Sequence, residues 1–289
     1  MKRIAFTLTF ALLLCTSMWA QTAYSFQTIN YPGDNFTQLL GINSSLLIAG
    51  YHNADQNSGF TLRLPFNFTT ENYPNSMMTQ VIGINNSNVT DGFYVDQSGT
   101  THGFYKTKGN YITVDYPGTP FNQLLGQNDM GQASGYYSLS RDNTTPDFPY
   151  VYDEMGAVFQ VITIPGAVGG AQATGINNSQ QICGFYIDNN GVNHGFLLNF
   201  GLLVTLDAPG STFTQALGLN NNGQVVGSYM DANGNGHGFV WTSAGGFQTI
   251  DDPKGIGTTL INGINDKGVL VGFYVDQDGN TDGLVAFPH

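Results

Sequence analysis

Histidine, glutamine, aspartate and a single arginine are the residues whose types and positions give this chain any scope for chemistry. His102, His194 and His237 each precede Gly-Phe, and imidazoles are common metal ligands. A metal site needs its ligands within a few ångströms of one ion, whereas these three recur at equivalent places in separate repeats. They are expected to sit apart, each hydrogen-bonded at a strand start. The turns Asp231-Ala232-Asn233-Gly234-Asn235 and Asp276-Gln277-Asp278-Gly279-Asn280 place oxygens at alternate positions, as calcium loops begin. They do not finish as one: Thr242 and Phe287 stand at the twelfth position, where a bidentate Glu is needed. Calcium is therefore a secondary expectation, and tight-turn geometry explains the same residues.

Five glutamines form the clearest series. Gln38, Gln80, Gln123, Gln172 and Gln215 each lie three residues before a glycine, and Leu260 breaks the pattern. On the innermost strand of a ring their amides would line a channel, either holding a polar ligand such as a sugar or satisfying backbone groups. A second candidate is an insertion from Ser138 to Tyr150, whose Arg141 stands beside Tyr136, Tyr137 and Tyr150. A basic and aromatic loop on a rigid scaffold is a recognition element of known type. Catalysis has less support. There is no Gly-x-Ser-x-Gly elbow and no His-Glu-x-x-His, and Asp153-Glu154 and Asp251-Asp252 read as turn residues. Gly234-Asn235-Gly236-His237-Gly238 lacks the helix that a phosphate loop requires. No catalytic residue is assigned.

The elements that must position these groups are read from repetition. Six strand-like segments end in Pro32, Pro74, Pro117, Pro165, Pro209 and Pro253. Each is followed by Gly-x-Asn, beginning at Gly41, Gly83, Gly126, Gly175, Gly218 and Gly263, and then by a glycine leading into aromatic residues, as in Gly92-Phe93-Tyr94. The unit of roughly 44 residues divides the chain at about 24–64, 65–110, 111–157, 158–202, 203–246 and 247–289. In the fifth unit, segments Leu203–Asp207, Thr214–Asn220, Gln224–Asp231 and His237–Thr242 read as four strands. Glycine-bearing hairpin turns join the last three, making an antiparallel meander. The expected fold is all-β: a six-bladed β-propeller with four-stranded antiparallel blades. The first segment, Tyr24–Tyr31, closes the ring by pairing near Asp282–Phe287. A linear β solenoid is the alternative.

Residues 1–20 combine Lys2 and Arg3 with a short apolar run and small residues, which predicts a secretory signal peptide ahead of one domain at 21–289. The expected location is extracytoplasmic, either periplasmic or secreted. No stretch is long enough for a membrane span. Without the leader, Cys183 is the one cysteine, expected as a small buried hydrophobe. Net charge is −12, with twenty acids of which eighteen are Asp. So few basic residues exclude nucleic acid as a partner. Most of the acidity belongs to Asp-containing turns.

The segments Phe-x-Thr-Ile-Asp-x-Pro, Gly-Ile-Asn-x-x-Gly, Val-Gly-Phe-Tyr-x-Asp and His-Gly-Phe together resemble the HAF-type extracellular repeat family over Tyr24 to Phe287. His102-Gly103-Phe104, His194-Gly195-Phe196 and His237-Gly238-Phe239 carry that element most fully. Ser58-Gly59-Phe60 and Asp282-Gly283-Leu284 approximate it, and the third unit lacks it, with a loop from Arg141 to Tyr150 in its place. The resemblance implies export and repetition and adds no site residue. The expected function is a non-enzymatic exported scaffold that binds carbohydrate or protein at a propeller face or channel. The alternatives are a structural envelope protein without a discrete ligand and a propeller hydrolase or lyase.

Overall fold

The computed structural model describes residues 21–142 and 144–289; the expected signal peptide lies outside the described residues. Valine, isoleucine, threonine and aromatic residues alternate with small polar ones and are punctuated by Asn- and Gly-bearing turns. That pattern favours short pleated strands over helices. Strand β1 spans Tyr24–Thr28. Then β2 (Thr37–Ile42), β3 (Leu47–His52), β4 (Ser58–Arg63) and β5 (Asn67–Thr70) pair in that order as an antiparallel sheet. Two further meanders follow: β6 (Met78–Ile84), β7 (Thr90–Val95), β8 (Thr101–Thr107) and β9 (Asn110–Val114), then β10 (Phe121–Gln127), β11 (Gln132–Ser138), β12 (Phe148–Asp153) and β13 (Val158–Val161). The single parallel pair Phe121 and Thr101 joins these two into one eight-stranded sheet.

The next four-stranded sheet holds β14 (Ala171–Ile176), β15 (Ile182–Ile187), β16 (Asn193–Asn199) and β17 (Leu202–Leu206). Another holds β18 (Phe213–Leu219), β19 (Val225–Met230), β20 (Gly236–Thr242) and β21 (Gly246–Ile250). Finally β22 (Thr259–Ile264), β23 (Leu270–Val275) and β24 (Thr281–Pro288) take β1 as their fourth strand. Tyr24 pairs with Pro288 and Thr28 with Leu284, so the first and last strands of the described residues meet, as they would not in a linear stack. The architecture is an all-β, propeller-like fold of four-stranded antiparallel blades. No helix among the described residues is long and apolar enough to cross a membrane.

Apolar clusters fill the spaces where sheets face one another. Phe60, Phe104, Tyr150, Phe196 and Phe239 are all fully buried. Four of them are the last residue of the Ser- or His-Gly-Phe element; the fifth corrects the expectation for the third repeat. There Phe148-Pro149-Tyr150 begins strand β12 and takes the place of His-Gly-Phe, with Tyr150 opposite Gly135 as Phe104 is opposite Gly92. The additional polar atom is satisfied, because the Tyr150 hydroxyl donates to Asn122 Oδ1 at 2.9 Å. The insertion is confined to the turn between β11 and β12, and the strand itself is preserved.

Candidate functional site

Strands β2, β6, β10, β14, β18 and β22 surround a central cavity of about 340 Å³. The Gly-x-Asn marker explains how six strands converge so closely. A side chain on Gly41 would place its Cβ 2.6 Å from the Ile82 carbonyl oxygen of the next inner strand, and one on Gly218 would lie 2.6 Å from the Asn262 carbonyl oxygen. Only glycine permits that approach. Just before each such glycine the register slips by one residue. These bulges re-aim side chains, and the extra residues Leu40, Ile82, Leu125, Thr174, Leu217 and Asn262 line the cavity.

The asparagine of the marker closes one end. Asn43 Nδ2 donates to the Asn85 carbonyl oxygen, Asn85 to Asn128, Asn128 to Asn177, Asn177 to Asn220, Asn220 to Asn265 and Asn265 back to Asn43, all at 2.9–3.2 Å. Each Oδ1 accepts backbone N–H groups of its own turn, as Asn220 does from Asn222 and Gln224. The sequence displayed this residue six times, but its role was hidden because its partner lies one repeat away. The ring leaves a polar space of only about 70 Å³ at that end.

At the other level of the cavity the structure brings together four of the five glutamines. Gln38, Gln80, Gln172 and Gln215 line the wall, with Tyr51 and Phe185 beside them. Gln123 does not line it; Tyr136, opposite it in register, is buried, and the Gln123 carbonyl accepts the Tyr150 hydroxyl. Each lining amide is anchored at one end. Gln38 Oε1 accepts from the Tyr51 hydroxyl at 2.8 Å, Gln80 Nε2 donates to Asn57 at 2.6 Å and Gln172 Nε2 to Asp147 at 2.6 Å. Gln215 Nε2 reaches Asn193 Oδ1 at 3.4 Å. Below them the wall turns apolar with Leu40, Ile82, Leu125 and Leu217. Among the described residues the cavity lining holds no Asp, Glu, His, Lys or Arg.

The insertion differs from the expected recognition loop. Arg141 is exposed and donates from Nη1 to the Ser98 carbonyl oxygen at 3.1 Å, tying the loop to the β7–β8 turn. Tyr136 is buried, and burial pushes its hydroxyl pKa well up. Tyr137 stacks on Tyr116 at 3.9 Å and on Phe148 at 5.1 Å. The aromatic half of that candidate belongs to packing, because alternation along β11 turns both rings inward or against a neighbouring strand.

The three repeat histidines are held apart, each between two carboxylates of its own neighbourhood, while His52 pairs with Asp34. His102 Nδ1 lies 2.7 Å from Asp115 and its Nε2 3.4 Å from Asp96. Asp207 and Asp188 clamp His194, at 3.0 and 3.6 Å; Asp251 and Asp231 clamp His237, at 2.9 and 3.6 Å. Among the described residues no three His, Cys, Asp or Glu side chains gather as a metal set. In the two calcium-like turns, Asp231 Oδ1 accepts the N–H groups of Asn233 and Asn235, and Asp276 Oδ1 those of Asp278 and Asn280. Hydrogen bonds from the Thr100 amide and the Ser98 hydroxyl likewise hold Asp96 down at about 2. These oxygens serve the turns.

Two buried polar groups depart from the repeat. Glu71 occupies the place of Ile29, Val114, Leu206 and Ile250, and is paired with Lys106 Nζ at 3.0 Å and with the Thr90 hydroxyl. Asp91 is fully buried opposite Gly83, and neither carboxyl oxygen has a side-chain partner. Burial first, then the nearby Glu154 charge, raises it to about 8. Cys183 is buried as expected, and burial pushes its thiol up to about 12, far from nucleophilic use.

No protein-family model and no curated protein matches the chain. Solved structures do. The putative TolB from Agrobacterium tumefaciens superposes with a TM-score of 0.60 at 12% identity, covering 93% of this chain and 100% of that one. SapL1 lectin in complex with alpha methyl fucoside gives 0.59 at 11% identity, covering 90% and 94%. A putative gluconolactonase gives 0.56 at 11% identity, covering 92% of each chain. At these identities the likeness is one of propeller fold.

Proposed function

We propose that this chain is an exported, non-enzymatic six-bladed propeller that binds a neutral carbohydrate in the mouth of its central channel. The observation that carries the reading is the cavity wall: anchored amides from Gln38, Gln80, Gln172 and Gln215, the rings of Tyr51 and Phe185, and no charged side chain among the described residues. Amides offer both donors and acceptors to hydroxyl groups, and aromatic faces cover the apolar faces of sugars. Among the described residues the wall has no carboxylate, imidazole or amine, and burial pushes the Tyr51 hydroxyl up to about 12, which favours binding over hydrolase or lyase chemistry. SapL1, of the same general fold, was solved with a methyl fucoside.

Counting six blades treats the eight-stranded sheet as two, since one residue pair joins its halves, and follows the six-membered asparagine ring. Export rests on the leader-like residues 1–20, and the HAF-type resemblance agrees with it. A thermal-shift screen of residues 21–289 against a glycan panel, with and without calcium, tests the binding reading. A rise in Tm that grows with sugar concentration and is lost in Gln172→Ala supports it. No rise with any glycan removes it.

A further inference from the structure

Between the first sheet and the inner strand of the second lies another cavity, of about 510 Å³, on the side of the β3–β4 turn. Its counterpart beside His237 measures about 280 Å³ and has Asp251 in its wall. The first sheet departs from the repeat here, because its β3–β4 turn is two residues shorter, with eight positions from Gly50 to Ser58 against ten from Gly92 to His102. The clamp Asp96–His102–Asp115 recurs as Asp188–His194–Asp207 and Asp231–His237–Asp251. In the first sheet Ser58 stands in the place of the histidine and Asn72 in that of the second carboxylate. An imidazole ring becomes a hydroxyl, and a carboxylate becomes an amide. Ser58 and Asn72 keep a hydrogen bond, Asn72 Nδ2 to Ser58 Oγ at 2.9 Å, so the niche is held open by a smaller and uncharged version of the clamp.

The rim gains an amide in the same way. After the repeat proline, Gly33, Gly118, Gly166 and Gly210 adopt positive φ; here the residue is Asn75, at φ 61°. Asparagine tolerates that conformation less readily than glycine, yet it carries a side chain into the niche wall. Asn53, across the niche, is also left-handed at φ 65°. The side-chain amides of Gln56 and Asn75 are exposed on the rim and make no hydrogen bond within the described residues, so both are open to a ligand. Tyr73, Met77 and Met78 add apolar surface to the same wall.

We propose that this niche is a second ligand site, distinct from the channel, built to take one neutral glycosyl unit of a saccharide. No Asp, Glu, Lys or Arg lines it among the described residues, and the Nδ1 of its one histidine, His52, is already paired with Asp34 Oδ2 at 2.9 Å, so an ionic ligand would surrender its hydration for little counter-charge. Uncommitted amides and hydroxyls beside apolar methionine and tyrosine surface match a ring that is hydroxylated at its edge and apolar on its face. The volume lies within the range of small-ligand pockets.

Saturation-transfer NMR on residues 21–289, with the methyl glycosides of glucose, galactose, mannose, N-acetylglucosamine and fucose as probes, tests the site. The combined variant Ser58→His and Asn72→Asp restores the histidine and the second carboxylate of the clamp that the same fold already carries three times. The expected result is at least one glycoside whose binding survives Gln172→Ala in the channel and falls at least tenfold in the rebuilt-clamp variant. Should that variant not fold, Asn75→Gly, which restores the residue of four other repeats, is expected to weaken the same glycoside severalfold. Binding that is unaffected by the folded clamp variant, or by Asn75→Gly where the clamp variant does not fold, overturns the proposal, as does the absence of any bound glycoside. Loss in Gln172→Ala alone assigns binding to the channel and also overturns it.

Discussion

Asn265 donates its side-chain Nδ2 to the carbonyl oxygen of Asn43 at 3.0 Å, across 222 positions of sequence. This contact joins the last inner strand to the first and completes a ring in which six asparagines each serve two repeats.

Asn265→Asp isolates that contact. The aspartate keeps the Oδ1 that accepts from Lys267 and Val269 but replaces the donor with an oxygen, which faces the Asn43 carbonyl and leaves it only the Leu46 N–H. Equilibrium urea unfolding should show a loss of about 1–3 kcal/mol. Asn265→Ala, which also removes the turn contacts, should cost more.

The buried pair Glu71 and Lys106 should behave as a unit. Lys106→Met leaves a carboxylate in a site 4% exposed and should destabilise by roughly 3–5 kcal/mol. Adding Glu71→Ile, the residue type other repeats carry there, should recover most of that loss. A double variant no better than Lys106→Met would contradict the reading of Glu71 as a guest at an apolar position.

Asp91 gives the native state a distinctive pH dependence. Its ordinary value is 3.8 and its native value about 8, so both states are protonated in acid, and between these limits the folded protein holds a proton that the unfolded chain has released. Its contribution is therefore complete below its ordinary value and is lost as pH rises toward 8. Asp91→Asn should flatten stability against pH between 5 and 8 in chemical denaturation. An unchanged slope would place the titration elsewhere.

Gln127 stands in a ring otherwise made of Ile42, Ile84, Ile176, Leu219 and Ile264, and its Oε1 is buried without a partner. Its Nε2 donates to the Val89 carbonyl, which also accepts from the Asn85 amide, so that carbonyl stays satisfied without it. Gln127→Ile should stabilise by about 1–2 kcal/mol, seen as a rise in Tm.

The strand pattern of the fold was legible because each meander is local. Segments expected at Thr214–Asn220 and His237–Thr242 appear as Phe213–Leu219 and Gly236–Thr242, and Tyr24–Thr28 pairs with β24 as ring closure requires. Four of five glutamines reached the cavity wall by the same periodicity. What escaped was non-local. The asparagine ring depends on partners some 42 to 49 residues away, and 222 at the closure. Tyr136 and Tyr137 seemed part of an exposed insertion until strand alternation packed them. The first-sheet niche was visible only as a shortened turn and two substitutions within a repeat whose purpose was not yet known.

The most direct test of the central claim is calorimetric titration of the best glycan from the thermal screen into wild-type protein and into Leu217→Trp. Leu217 lines the channel cavity of about 340 Å³ and is none of the glutamines or their anchoring partners, so an indole there takes up channel space. The account predicts saturable binding to the wild type and its loss in a Leu217→Trp protein that remains folded by circular dichroism. Equal affinity in both proteins would contradict it, because the sugar would then be bound somewhere other than the channel.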